Sequence, residues 1–444
     1  HTDGSGLTLN STNKIMFNDA SQFIQGSSAT VLSLGATDEI DLTATALDFN
    51  GTVAISGDTT IEDGADLITA TAGTSNVRVG VNAGNSITSG GNQNVVIGDE
   101  AGTALTTGDF NVMVGYAAGD AFTTGGRNVG IGQNALSTDT LGSRSTAVGQ
   151  GALGTQNFTT STNVYNVAVG ALAGNAITTG VQNTLIGGLA GDALTTGGNN
   201  VAIGFEALST EDADGNNVAV GYQALKTLNA GGDGNNVAVG YITGQSVTTG
   251  HSNTLLGALA ADALTEGDEN VAVGKHALGG DTLGNYSVAI GSAALKTQNF
   301  TTSTNAYNVA VGRGAGEAVT TGIQNTIVGG LAGDALTDAD FNVALGTFAL
   351  TADTLGSRST ALGRSALASQ NFTTATDTYN VAVGFNAGTS VTTGIENTLI
   401  GSLAGDALTD ADYNVAVGKS ALSSDVLGSR AVAIGQSALA AQNF

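Results

Sequence analysis

One short phrase, NVAVG or a near variant, is repeated from residue 76 to residue 435 and closes on glycine 21 times. The closing glycines are 80, 98, 115, 132, 149, 170, 187, 204, 221, 240, 257, 274, 291, 312, 329, 346, 363, 384, 401, 418 and 435. Most steps are 17 residues; the steps at 149 to 170, 291 to 312 and 363 to 384 are 21, that at 221 to 240 is 19, and that at 80 to 98 is 18. Seventeen residues are too few for a helix pair or a propeller blade but suit one turn of a β-solenoid. The residue before the closing glycine is Val, Ile or Leu in all 21 units, and the residue two earlier is Val or Thr in all 21. Alternation of this kind predicts a strand with those two side chains on one face, read as the core face. A second apolar phrase in each unit, such as ALAGNAITTG or YQALKT, reads as a return strand across a thin core. The expected fold is therefore all-β, a parallel β-solenoid or β-roll of about 21 coils.

The residue between the two core positions should then point outward. It is Ala in 13 units and Leu, Ile, Val or Met in six more, with Arg78 and Gly130 the exceptions. An apolar stripe of that length is larger than monomers expose, and small alanine suits close approach of a second chain. The expected inter-chain seam is Ala147, Ala168, Ala202, Ala219, Ala238, Ala272, Ala289, Ala310, Ala344, Ala361, Ala382, Ala416 and Ala433. An asparagine opens the phrase in 17 of the 21 units, replaced by Ser145, Ser287, Ser359 and Ala431. Stacked once per coil, it either forms a hydrogen-bonded ladder or simply tolerates a turn conformation.

Coils group in fours, giving a 72-residue cassette in which the 21-residue step carries the insertion TQNFTTSTNxY or a near variant. With ~4.8 Å between stacked strands, 21 coils would make a rod roughly 100 Å long, with loops about every 19 Å. Phe158, Tyr165, Phe300, Tyr307, Phe372 and Tyr379 lie in these loops. They either present aromatic patches to a glycan or neighbouring fibre, or fold back as a lid over the coil edge. Residues 1–75 lack the phrase but alternate apolar and polar residues, as in KIMF, TVLSL, EIDLTATALDF and TVAIS, and read as a β-rich stem of intertwined chains. Residues 76–444 form the array, which breaks off at AAQNF, the start of another insertion, and is expected to continue beyond 444.

Composition narrows the function. No cysteine is present, hence no disulfide framework and no thiol nucleophile, and no run of 18 apolar residues suggests membrane insertion. A net charge of −25 opposes nucleic acid binding. Only His1, His251 and His276 could serve as a histidine base, with no matching Ser or Asp motif, so no enzyme and no cofactor is expected. Asp338 and Asp340, with their counterparts Asp410 and Asp412, have the opening spacing of a calcium loop without its downstream glycine and glutamate, and read as solvated turn acids or weak calcium ligands.

The phrases NVAVG and STAVG, each followed by a run of small residues, resemble the repeats in the head domains of trimeric autotransporter adhesins. That resemblance implies a left-handed β-roll packed three to a bundle. Long arrays of NVAVGxxAL and TTGxxNTxIGxxAG behind a segment such as LTLNSTNKIMFNDASQFIQG resemble bacteriophage tail fibres. They imply a homotrimeric virion fibre, a structural rod for host attachment and display, whose partners are its own copies, a host surface glycan and neighbouring virion proteins. The alternative is a bacterial cell-surface adhesin or secreted extracellular filament.

Overall fold

A computed structural model describes residues 14–16, 23–28, 31–35 and 72–444, and the chain divides into two units, 1–67 and 68–444. In the first unit, Lys14–Met16, Phe23–Ser28 and Val31–Gly35 form an antiparallel sheet in chain order, with Ile15 opposite Ile24 and Ile24 opposite Leu34. The strands expected at EIDLTATALDF and TVAIS lie outside the described residues.

The second unit is a parallel β-solenoid of about 21 coils, numbered here 1 to 21 by their closing glycines. Each coil contributes a three-residue strand, from Val77–Val79 in coil 1 to Val432–Ile434 in coil 21. Consecutive strands pair in parallel and in register, Val167 with Thr184, Ala168 with Leu185 and Val169 with Ile186, for example. The first and last strands have one neighbour each, so the sheet is an open column.

The strand ends where it does because of its glycine. Gly170 has φ of 141°, a region closed to side chains, and a Cβ there would lie 2.4 Å from the carbonyl oxygen of Gly187 in the next coil. The same stacking repeats up the column. A glycine thus lets successive backbones lie directly on one another at the corner.

The return phrase is not a strand. It is a run of turns, and the residues two and four places beyond every closing glycine have positive φ, as at Leu172 and Gly174 (φ 58° and 59°). Left-handed leucine is costly in isolation. Here the backbone is satisfied from coil to coil instead of across a sheet: Leu172 N donates to Gln150 O at 2.8 Å, Gly174 N to Ala190 O at 2.9 Å, and Thr178 N to Thr195 O at 2.9 Å.

The strand faces are also the reverse of the expectation. The middle residue points into the coil, and the thirteen alanines assigned above to an inter-chain seam, Ala147 to Ala433, are buried in the chain's own core. The residues on either side of it face outward and are half-buried or exposed. The cause is volume. A 17-residue coil encloses a narrow interior, which already holds one long side chain from the turn phrase, so the facing strand position must usually be small. Ten coils supply leucine four places beyond the glycine, as at Leu153 and Leu208; the other eleven have Gly or Ala there and supply a large residue three places later, as at Ile177 and Leu194. A Cβ on Gly174 would lie 2.6 Å from Leu185 Cδ1, so glycine in one coil makes room for a large strand residue in the next.

Candidate interaction surface

The outward strand positions form a wall. Its third-position residues, Ile97, Val169, Ile186, Leu256, Ile290, Leu345 and Ile400 among them, are each 36–41% exposed while packed against the same position in the coils above and below. β-Branched side chains suit such in-register ladders. The first-position residues are Val in 15 coils and Thr in six, and the wall carries no charged side chain in any of the 21 coils.

Aromatic and arginine side chains flank the wall. Phe205, Tyr222 and Tyr241, each following a closing glycine, stack at 5.9 and 5.5 Å between ring centres. At the opposite corner, before the asparagine, Arg358 lies over Phe341 at 4.7 Å and over Tyr379 at 5.9 Å and pairs with Asp377 at 2.9 Å. Arg144 covers Tyr165 at 5.6 Å, and Tyr286 stacks on Tyr307 at 5.2 Å. The insertion aromatics therefore divide. Phe158, Phe300 and Phe372 are buried at 5–6% exposure and serve as lids; Tyr165, Tyr307 and Tyr379 are about half exposed at the corner beside the wall, at 49–53%.

The asparagines form the ladder. Oδ1 accepts the backbone N–H of the equivalent residue in the next coil, as Asn236 does from Asn253 at 3.0 Å, and in most coils Nδ2 donates to a carbonyl in the following coil, as Asn253 does to Gly267 at 2.8 Å, whereas Asn217 donates to Gly215 O in its own turn. All are buried. Serine breaks the ladder in the coils before each insertion, and the insertion's glutamine repairs it. Gln156 donates from Nε2 to Asp139 Oδ2 at 2.5 Å and to Ser145 Oγ at 3.1 Å, and its Oε1 accepts Asn166 Nδ2 at 2.9 Å. Asp139 Oδ1 in turn accepts Gly142 N and Phe158 N. The same clip joins Asp281, Gln298, Ser287 and Asn308, and Asp353, Gln370, Ser359 and Asn380. Burial pushes the Asp139 and Asp281 carboxyls above their ordinary value, opposed by these hydrogen bonds. Alternating hydrophobicity carried no signal for this clip; the recurrence of DTLG ahead of TQNF did.

No protein-family model matches the chain, and no curated protein matches it.

The acidic turns are committed to coil stacking. Asp338 and Asp410 accept from the hydroxyls of Thr321 and Thr393, and Asp340 and Asp412 accept from Ile323 N and Ile395 N at 2.8 Å. Among the described residues no group of three or more acidic or histidine side chains is arranged to hold a metal ion. His251 pairs with Asp268 at 3.5 Å, whereas His276 lines an open recess with Asp262 and Lys296. The recess arises because Gly279 stands where coil 16 has Thr351, whose hydroxyl donates to Asp334.

Proposed function

We propose that this chain is a structural fibre protein of a phage virion, a non-catalytic rod for host attachment and display, assembled as a homotrimer through the outward Val/Thr and Val/Ile/Leu wall. The observation that carries this reading is the wall itself. Two side chains per coil over 21 coils, the third-position ones about a third open and the first-position ones half-buried, amount to on the order of 2,000 Å² of largely apolar surface per chain, against a few hundred on an ordinary monomer and about 800 per partner in a standard interface. A second copy is the occupant that such a periodic surface suits, because only another array with the same repeat stays in step along its length. The half-exposed corner tyrosines stand beside the wall, where an assembled fibre would still present them. Three chains and a virion location come from the resemblance of the repeats to those of adhesin heads and tail fibres.

The absence of native cysteine makes a direct test simple. A single thiol at Val239→Cys on the wall should link chains covalently with a short bifunctional maleimide, whereas Thr179→Cys in a turn should not. Equal linkage from both positions, or none from either, would overturn the wall as the seam.

A further inference from the structure

The 19-residue step departs from every other corner in the array. Coil 8 carries TEDADGNN where the clip-bearing coils carry TDTLGSRS or a near variant, so Glu211 stands in the place of Asp139 and Asp214 in that of Gly142. Glu211 caps its own turn as Asp139 does, with Oε1 accepting Asp214 N at 2.8 Å and Ala213 N at 3.2 Å. In coil 9, however, Leu228 occupies the position of Gln156, so the donor that would satisfy the second carboxyl oxygen is missing. Glu211 Oε2 has no hydrogen-bond donor from backbone or amide, and it lies in a fully buried residue. Its neighbour is another buried carboxyl, Asp214, three residues on, whose N–H Glu211 caps and whose charge opposes its own. Both Asp214 oxygens are already taken by the next coil's loop, accepting from Ala230 N and Gly232 N.

We propose that Glu211 holds a proton that it donates to Asp214, and that this carboxyl–carboxylate pair is a clasp between coils 8 and 9 that opens when the proton is lost. With the proton on Glu211 Oε2, that oxygen donates to Asp214, and every polar atom of the pair is matched. Loss of the proton to solvent leaves two carboxylates in contact inside the coil, where both cannot stay ionised. Among the described residues no cation faces them to compensate. Asp212 and Asp233 are exposed and acidic, Lys226 is committed to Glu206 at 2.6 Å, and His251 of coil 10 to Asp268 at 3.5 Å. The turn of coil 7 beneath, Thr195 to Asn200, has no charged side chain.

The direction follows from linkage. Burial first, and Asp214 second, push the Glu211 carboxyl from 4.5 up to about 8, so the folded coil binds a proton that the opened coil releases. Stability of the clasp is full below the opened-state value and falls as pH rises from about 5 to about 8, by up to tenfold in the opening equilibrium per pH unit.

Amide hydrogen exchange on the full chain from pH 5 to pH 9, corrected for the intrinsic base-catalysed rate, tests this. Peptides spanning 208–236 should lose protection with rising pH, while those spanning 353–372, where Gln370 supplies the donor, serve as the internal control. Glu211→Gln places a permanent N–H donor on the pair and should hold protection level across the range. Leu228→Gln should flatten the slope by restoring the missing donor. Equal slopes in the two segments, or an unchanged slope in Glu211→Gln, would overturn the proposal. Recovery of protection at pH 9 on adding calcium alone would overturn it too, by assigning the pair to a cation.

Discussion

The two faces of the same three-residue strand carry different constraints. Inward, Ala272 is fully buried and meets the long side chain of the turn phrase; outward, Val271 and Val273 are half-buried and meet only their own counterparts one coil away. Size is limited on the first face and shape is matched on the second. In the coils with alanine inside, the larger apolar residues of the strand therefore lie on the outside, because the long side chain of the turn phrase already fills the interior. That inversion ties the fold to the proposed function: the surplus hydrophobic surface that makes the strand ladder is the surface a second chain can cover.

The sharpest way to break this comparison is to place the same charge on either face. Ala272→Glu puts an unpaired carboxylate in the core and should cost about 3–5 kcal/mol, melting the neighbouring coils in circular dichroism. Val273→Glu should leave the fold and its melting of a single chain nearly intact while abolishing self-association. If both substitutions unfold the chain equally, the faces are not distinct.

Smaller effects probe how the coils are stitched. Asn253→Ala removes the acceptor for Asn270 N and the donor to Gly267 O, and should cost about 2 kcal/mol in thermal or denaturant unfolding, as expected when buried polar groups lose partners. Gln298→Leu reproduces at coil 13 what Leu228 does naturally at coil 9. It should cost about 1–2 kcal/mol. It should also raise the Asp281 carboxyl further above its ordinary value, since Gln298 is the strongest influence holding it down. The folded state then keeps a proton to higher pH, so the variant should lose stability relative to the parent once pH rises past the parent's own raised Asp281 value, in pH-resolved melts. Smallest of all, Tyr222→Ala interrupts the stack between Phe205 and Tyr241 and should cost about 0.5–1.5 kcal/mol in the same melts, with no change in assembly.

How much of this was readable beforehand depends on which residues are considered. The coil count, the 17-residue spacing and the parallel stacking were legible because the closing glycine and the asparagine mark the same point in every turn. The direction of the strand was not. Alternation says which residues share a face but not which face is inside, and the habit of placing Val and Ile inward fails when Leu153 or Ile177 from the turn already fills the interior. The turn phrase was misread as a strand for a related reason: left-handed leucines such as Leu172 leave no mark in hydrophobicity. The insertion was legible as a recurring loop, but the division between buried Phe158 and exposed Tyr165, and the repair of the ladder by Gln156, depend on contacts 10 to 17 residues apart that the phrase alone does not display.

The measurement that bears most directly on the account is the mass of the intact chain in solution by light scattering, read beside the same measurement on Val273→Glu. The account predicts a species of about three times 43.5 kDa for the parent chain and a single chain for the variant. A parent chain that stays monomeric and soluble with its Val/Ile wall uncovered would contradict it.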